Sequence, residues 1–167
     1  MKEFLIKILV LLGLAQPGNA IQEGQPAYLF SLNNHEDKVV NLSDYKGKWV
    51  VLYFYPKADT PGCTTQAKEY TKLMPEFEKL NVKVFGISTD SVEKIRRFRE
   101  KYGLTVEFLS DPEGIVAKAY GVTLIAGLCS RDTVIINQNL IVEKIYRGVS
   151  PSADPHKVLE YIKQRAS

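Results

Sequence analysis

Cys63 lies in the run Tyr53-Phe-Tyr-Pro-Lys-Ala-Asp-Thr-Pro-Gly-Cys-Thr-Thr-Gln-Ala67, where an apolar strand pattern ends in a Pro/Gly turn and a helical pattern begins. The first N–H groups of a helix have no intrahelical partner and carry partial positive charge, so a thiol placed there is biased toward the thiolate. A thiolate is a nucleophile. To work as one it needs a positive field, access, and donors aimed at the charge that develops. Pro56, Thr60 and Cys63 stand in the spacing P-x-x-x-T-x-x-C, and Pro61-Gly62 shape a tight approach to the thiol. The Thr60 hydroxyl can donate or accept, so it can hold both the thiolate and an approaching oxygen, besides serving as a helix cap. Arg131 opens the strand pattern Arg131-Asp-Thr-Val-Ile-Ile136, and a permanently charged, fork-shaped guanidinium there could reach the sulfur from a neighbouring strand end.

Other chemistries lack parts. His35 and His156 are the only histidines, one in a turn and one at a helix start, and both read as solvated, so a histidine-assisted nucleophile or a metal site has too few members. A disulfide reductase of thioredoxin type needs C-x-x-C, but the fourth place is Gln66; a copper carrier wanting C-x-x-x-C finds Ala67. Two readings stay open beside catalysis, a non-catalytic redox sensor and a structural protein stapled by Cys63–Cys129.

Elements that can position this thiol are legible along the chain. Tyr28–Leu32 and Val39–Leu42 flank a polar turn as a hairpin, and Trp49–Tyr55 is a continuous apolar run suited to a strand buried on both faces. A helix is predicted from about Cys63 to Leu80, kinked or broken at Pro75, followed by a strand over Val82–Ser88. Ser91 caps a helix over Val92–Tyr102 that Gly103 ends; Phe108-Leu109 suggests a short strand, and a short helix follows Gly114. Thr133–Ile136 and Ile141–Tyr146 form a second hairpin, and a last helix spans about Asp154–Arg165. The apolar run Val122–Leu128 stays unassigned. This order argues for an α/β, thioredoxin-like mixed central sheet flanked by helices, with an added N-terminal β-hairpin. In such sheets the functional site lies beyond the carboxyl ends of the strands, where Cys63 sits.

The 167 residues suit one domain, and 45% hydrophobic with 25% charged is an ordinary globular balance. Twenty-two basic and nineteen acidic residues are interspersed, which argues against nucleic acid as a partner. Residues 1–20 read as a signal peptide: Lys2 and Lys7, the apolar stretch Ile8–Ala15, then small residues at Gly18 and Ala20. That stretch is far shorter than the roughly 20 residues of a membrane span. Cleavage after Ala20 and export to a periplasm or equivalent space are expected, leaving residues 21–167 as a single domain.

The run Phe54-Tyr-Pro-Lys-Ala-Asp-Thr-Pro-Gly-Cys-Thr64 resembles the peroxidatic-cysteine loop of the peroxiredoxins, in particular the bacterioferritin-comigratory or PrxQ branch. The resemblance extends to Gly86–Ser91, Phe98, Lys101–Gly103, Leu109–Gly114 and Arg131–Ile136. It implies a thiol-dependent antioxidant peroxidase, monomer or homodimer, that reduces hydrogen peroxide and alkyl hydroperoxides without a cofactor and is recycled by a thioredoxin-like or other thiol reductant. Cys63 would then be peroxidatic, Thr60 and the Cys63 N–H would bind peroxide oxygens, Arg131 would favour the thiolate and polarise the O–O bond, Pro56 would shield the site, and Gln66 would orient Arg131. Many members of this branch carry a resolving cysteine where this chain has Lys68. Cys129 is the other cysteine. If strand geometry already holds there, alternation puts it on the Arg131 face as a candidate resolving residue; the competing reading makes it an apolar filler, with Cys63 reduced by an external thiol.

Overall fold

Every residue from Trp49 to Phe54 is buried, and the two faces of that one strand account for the architecture. The computed structural model describes residues 20–166, so the expected leader lies outside the described residues apart from Ala20. In chain order the elements are β1 (Ser31–Asn34), β2 (Val39–Asn41), β3 (Trp49–Phe54), α1 (Pro61–Lys79), β4 (Val82–Ser88), α2 (Val92–Tyr102), β5 (Glu107–Ser110), α3 (Ile115–Ala119), β6 (Leu124–Ile125), β7 (Leu128–Cys129), β8 (Thr133–Ile136), β9 (Val142–Tyr146) and α4 (Asp154–Arg165). Seven strands form one sheet in the order β2-β1-β5-β4-β3-β8-β9. The central pairs β3–β4 and β4–β5 are parallel; the flanking pairs are antiparallel.

Strand alternation divides the core. Trp49, Val51 and Tyr53 point into a cluster with Phe77 of α1, Phe98 of α2 and Leu159 of α4. Val50, Leu52 and Phe54 point the other way, against Val116 of α3 and Tyr120. A strand covered on both faces has no polar side to show, which is why its sequence reads as an unbroken apolar run. The α/β thioredoxin-like plan with its N-terminal hairpin is thus the fold of this chain.

Local signals hold well around α2, where the Ser91 hydroxyl accepts from the Lys94 N–H at 3.3 Å and Gly103 ends the helix at φ 60°. Elsewhere tertiary context wins. The helix α1 is not broken at Pro75. An interior proline costs about 3 kcal/mol, yet the flanking residues Leu73, Met74 and Phe77 are buried in the core on that helix, and packing of the apolar face overrides propensity. The first hairpin strand begins at Ser31, later than expected, and the chain ahead of it bonds to the opposite sheet edge: Gly24 N–H to Val142 O at 2.7 Å and Ala27 N–H to Leu140 O at 2.8 Å. The unassigned run supplies a two-stranded ribbon, β6 with β7, turning at Ala126 and Gly127, both with positive φ. His35, expected in solvent, is buried with Nδ1 accepting from the Phe108 N–H at 3.4 Å, and burial and then Arg99 hold its pKa below the usual value. No helix of the described residues is long and apolar enough to cross a membrane.

Candidate active site

The carboxyl end of β3 feeds a six-residue loop, Tyr55-Pro-Lys-Ala-Asp-Thr60, and then α1. That loop is tied down from outside. The Ala58 N–H bonds to the buried Asp90 carboxylate at 2.8 Å. Asp59, held at φ 62°, accepts from Lys101 Nζ at 2.7 Å and the Tyr102 hydroxyl at 2.5 Å, both on α2. Positive φ is uncommon for a residue with a Cβ, and aspartate tolerates it better than most. Thr60 is the N-cap of α1, but its hydroxyl makes no capping bond; it donates to Lys57 O at 2.7 Å, which leaves its lone pairs free to accept.

Cys63 is the third residue of α1 and is buried to 1% exposure. Its own N–H belongs to the first turn, whose donors have no intrahelical carbonyl. Arg131 reaches it from the segment before β8: one guanidinium nitrogen lies 3.6 Å from Sγ and donates to Gln66 Oε1 at 2.8 Å. Gln66 stands three residues after Cys63, on the same side of the helix. A Cβ at Gly62 would come within 2.9 Å of the guanidinium, so a side chain there would displace Arg131 from its place. The structure therefore brings Thr60, Cys63, Gln66 and Arg131 to one helix start. Pro56 is half-buried at the head of the loop. A sulfur facing a cation and first-turn N–H groups can react as a thiolate, and the same donors can receive charge released onto an oxygen.

Three supporting residues had no distinct sequence signal. Asp154 Oδ2 accepts from Gln66 Nε2 at 2.9 Å, the Tyr70 hydroxyl at 2.7 Å and the Thr133 hydroxyl at 3.0 Å. Burial raises the pKa of this carboxyl, while the three donors and Lys157 pull it back. The i, i+4 spacing of Gln66 and Tyr70 on α1 is the one clue that both face inward.

Cys129 occupies different surroundings. Strand geometry does not run from it to Arg131: β7 ends at Cys129, β8 starts at Thr133, and the Ser130 hydroxyl bends back to Asp132 at 3.1 Å. Alternation therefore does not carry Cys129 to the Arg131 face. Both thiols are free, and they belong to the core clusters on opposite faces of the sheet. Burial first, then Asp111, Asp90 and Asp132, push the Cys129 thiol up to about 12. The Lys68 ammonium, at the position where a resolving cysteine was expected from the resemblance, lies over the Tyr102 ring at 4.8 Å.

A thioredoxin-like sheet with one cysteine at the start of the first long helix, beneath an arginine, defines a cysteine-centred redox class. Known proteins make it specific. The model of the AhpC/TSA family matches residues 23–145. A relative from Helicobacter pylori (strain J99), named putative peroxiredoxin bcp, is 40% identical over 147 residues, covering 84% of this chain and 97% of the relative. The chloroplastic peroxiredoxin Q of Sedum lineare is 39% identical over 130 residues, 77% of this chain and 70% of that one. Among solved structures, peroxidoxin BcpB from Mycobacterium tuberculosis superposes with a TM-score of 0.82 at 32% identity, covering 88% of this chain and 99% of its own. The Xanthomonas campestris peroxiredoxin Q gives 0.78 at 30% identity over 83% and 92%. This chain belongs to the AhpC/TSA family, on its bacterioferritin-comigratory and peroxiredoxin Q branch, and is a thiol-dependent peroxidase.

Proposed function

We propose that Cys63 is the peroxidatic residue and that hydrogen peroxide and alkyl hydroperoxides are its substrates. The Cys63 thiolate attacks the terminal peroxide oxygen; an S–O bond forms, the O–O bond breaks, and the departing oxygen takes a proton to leave as water or alcohol. The sulfur, oxidised by two electrons, becomes a sulfenic acid. Arg131 and the first-turn N–H groups stabilise the thiolate and the developing oxyanion, and the Thr60 hydroxyl holds the attacked oxygen. Gln66 orients Arg131, and Pro56 shields the thiol from bulk water. The observation that carries this reading is the single Arg131 nitrogen shared between Cys63 Sγ at 3.6 Å and Gln66 Oε1 at 2.8 Å. A solved Xanthomonas campestris bacterioferritin comigratory protein, 29% identical at a TM-score of 0.78, carries alkyl peroxide reduction activity in its name, which supports the substrate class. Every residue invoked comes from one chain, so monomer and homodimer serve equally.

A thioredoxin-like or other external thiol closes the cycle by reducing the sulfenic acid. Closure through a Cys63–Cys129 disulfide requires the start of α1 to unwind and Cys129 to leave the opposite core, since such a bond needs Cα atoms within about 7 Å. Export of the mature chain, residues 21–167, to a periplasm or equivalent space rests on the basic, apolar and small-residue order of residues 1–20. The N-terminal sequence of the secreted-fraction protein tests it; an intact Met1 there contradicts it. For the chemistry, one equivalent of hydrogen peroxide followed by peptide mass spectrometry with a sulfenic-acid trap should label Cys63. Label confined to Cys129, or a Cys63 left unmodified, contradicts the reading.

A further inference from the structure

Asp154 is 1% exposed, an unusual place for a carboxylate. It opens α4, where an acid in the first turn suits the helix dipole, but that benefit does not call for burial. Its Oδ1 has no hydrogen-bond partner among the described residues, so the side chain accepts a desolvation cost that its three donors only partly offset. Those donors come from Gln66 and Tyr70 of α1 and Thr133 of β8, and they hold the carboxylate beside the far end of the Gln66 amide.

An amide has one accepting end and one donating end. A guanidinium can only donate and a carboxylate can only accept, so with Arg131 on one side and Asp154 on the other a single orientation of Gln66 satisfies both. Turned over, Gln66 would oppose its NH2 to the guanidinium, and Arg131 would lose the acceptor that holds it at Cys63. We propose that Asp154 is a positioning residue of the peroxidase, fixing the Gln66 amide so that Arg131 is held at the Cys63 sulfur. The inference rests on the reading above that Arg131 activates Cys63, and it adds a residue 88 positions from Gln66 in the chain.

Asp154→Asn keeps the shape but removes the constraint: its own amide can turn an NH2 toward Gln66, and the Tyr70 and Thr133 hydroxyls accept as readily as they donate. The test measures second-order rates of the reduced protein with hydrogen peroxide and with iodoacetamide at neutral pH, for wild type, Asp154→Asn, Arg131→Met and the double variant. Asp154→Asn should slow both reactions about tenfold, the worth of one hydrogen bond to a charged group. The double variant should be no slower than Arg131→Met alone, a result that general loosening of the fold would not produce. Wild-type rates in Asp154→Asn, or a further tenfold loss in the double variant, overturn the proposal. If Arg131→Met itself reacts like wild type, the activation reading falls with it; if Arg131→Met is slow and Asp154→Asn is not, only the positioning falls. Should Asp154→Asn fail to fold by circular dichroism, Gln66→Met cuts the same link. A tenfold loss is expected there too, and an unchanged rate overturns the proposal.

Discussion

The two cysteines are buried to 1% and 2% exposure, so burial does not separate them. Their charges do. Cys63 meets the Arg131 guanidinium and the N–H groups of a helix start, whereas Cys129, across the sheet, faces Asp90, Asp111 and Asp132. The groups beside Cys63 donate to a thiolate, and the carboxylates around Cys129 oppose one. At equal burial, the sign of the neighbouring charges is what differs between the two cysteines.

The largest effect that tests this contrast is on stability in alkali. Burial pushes the Cys129 thiol from 9.0 to about 12, so below pH 9 folded and unfolded chains both hold the proton and nothing changes. Between those limits the unfolded chain releases the proton and the folded one keeps it, and stability is lost as pH rises. The unfolding constant should gain roughly tenfold per pH unit from this residue alone, about a thousandfold across the window. Denaturant titrations from pH 8 to 11 should show a shallower decline for Cys129→Ala than for wild type; parallel declines would mean that Cys129 is more easily ionised than its burial and carboxylates allow.

On the other face, Arg131→Met should slow reaction with hydrogen peroxide by about a hundredfold or more, the usual consequence of losing one preorganised electrostatic donor. Stopped-flow rates with peroxide and alkylation rates with iodoacetamide at neutral pH should fall together. An unchanged alkylation rate with slow peroxide reduction would mean that Arg131 acts on the peroxide and not on the thiol. A smaller loss, about tenfold, is expected for Thr60→Val, with Thr60→Ser recovering most of it. Failure of serine to rescue would assign Thr60 to packing. Smallest of all, Cys129→Ala should leave peroxide turnover with excess dithiol within about twofold of wild type. A large loss there, with a Cys63–Cys129 crosslink in oxidised wild-type peptides, would restore the resolving function to Cys129.

What the sequence could reveal followed from how local each cause was. β3 and β4 show as apolar runs, and α2 carries its own start and stop in Ser91 and Gly103. Cys63 and Thr60 share one stretch of chain, so their grouping is visible as spacing; Arg131 is a candidate from its strand-end position and is singled out by the resemblance, which alone supplies Gln66. Asp154 was not legible, because an aspartate at a helix start has an ordinary local explanation and its inward turn depends on α1 and β8 packing against α4. For the same reason the break allowed for at Pro75 does not occur and the β6–β7 ribbon left no signal: the helix is held by core contacts, and the ribbon is too short to show a period. The strand geometry on which the Cys129 reading was conditional does not run to Arg131, because β7 ends at Cys129 and β8 starts only at Thr133.

The thiol of Cys63 carries the chemistry, and a hydroxyl cannot replace it because it stays protonated at neutral pH. Peroxide consumption by Cys63→Ser, measured with excess dithiol and with circular dichroism confirming the fold, should fall to the uncatalysed background while Cys129→Ala continues to turn over many equivalents. Multiple turnover in Cys63→Ser, or consumption in wild type that stops after one equivalent with dithiol still present, would contradict it.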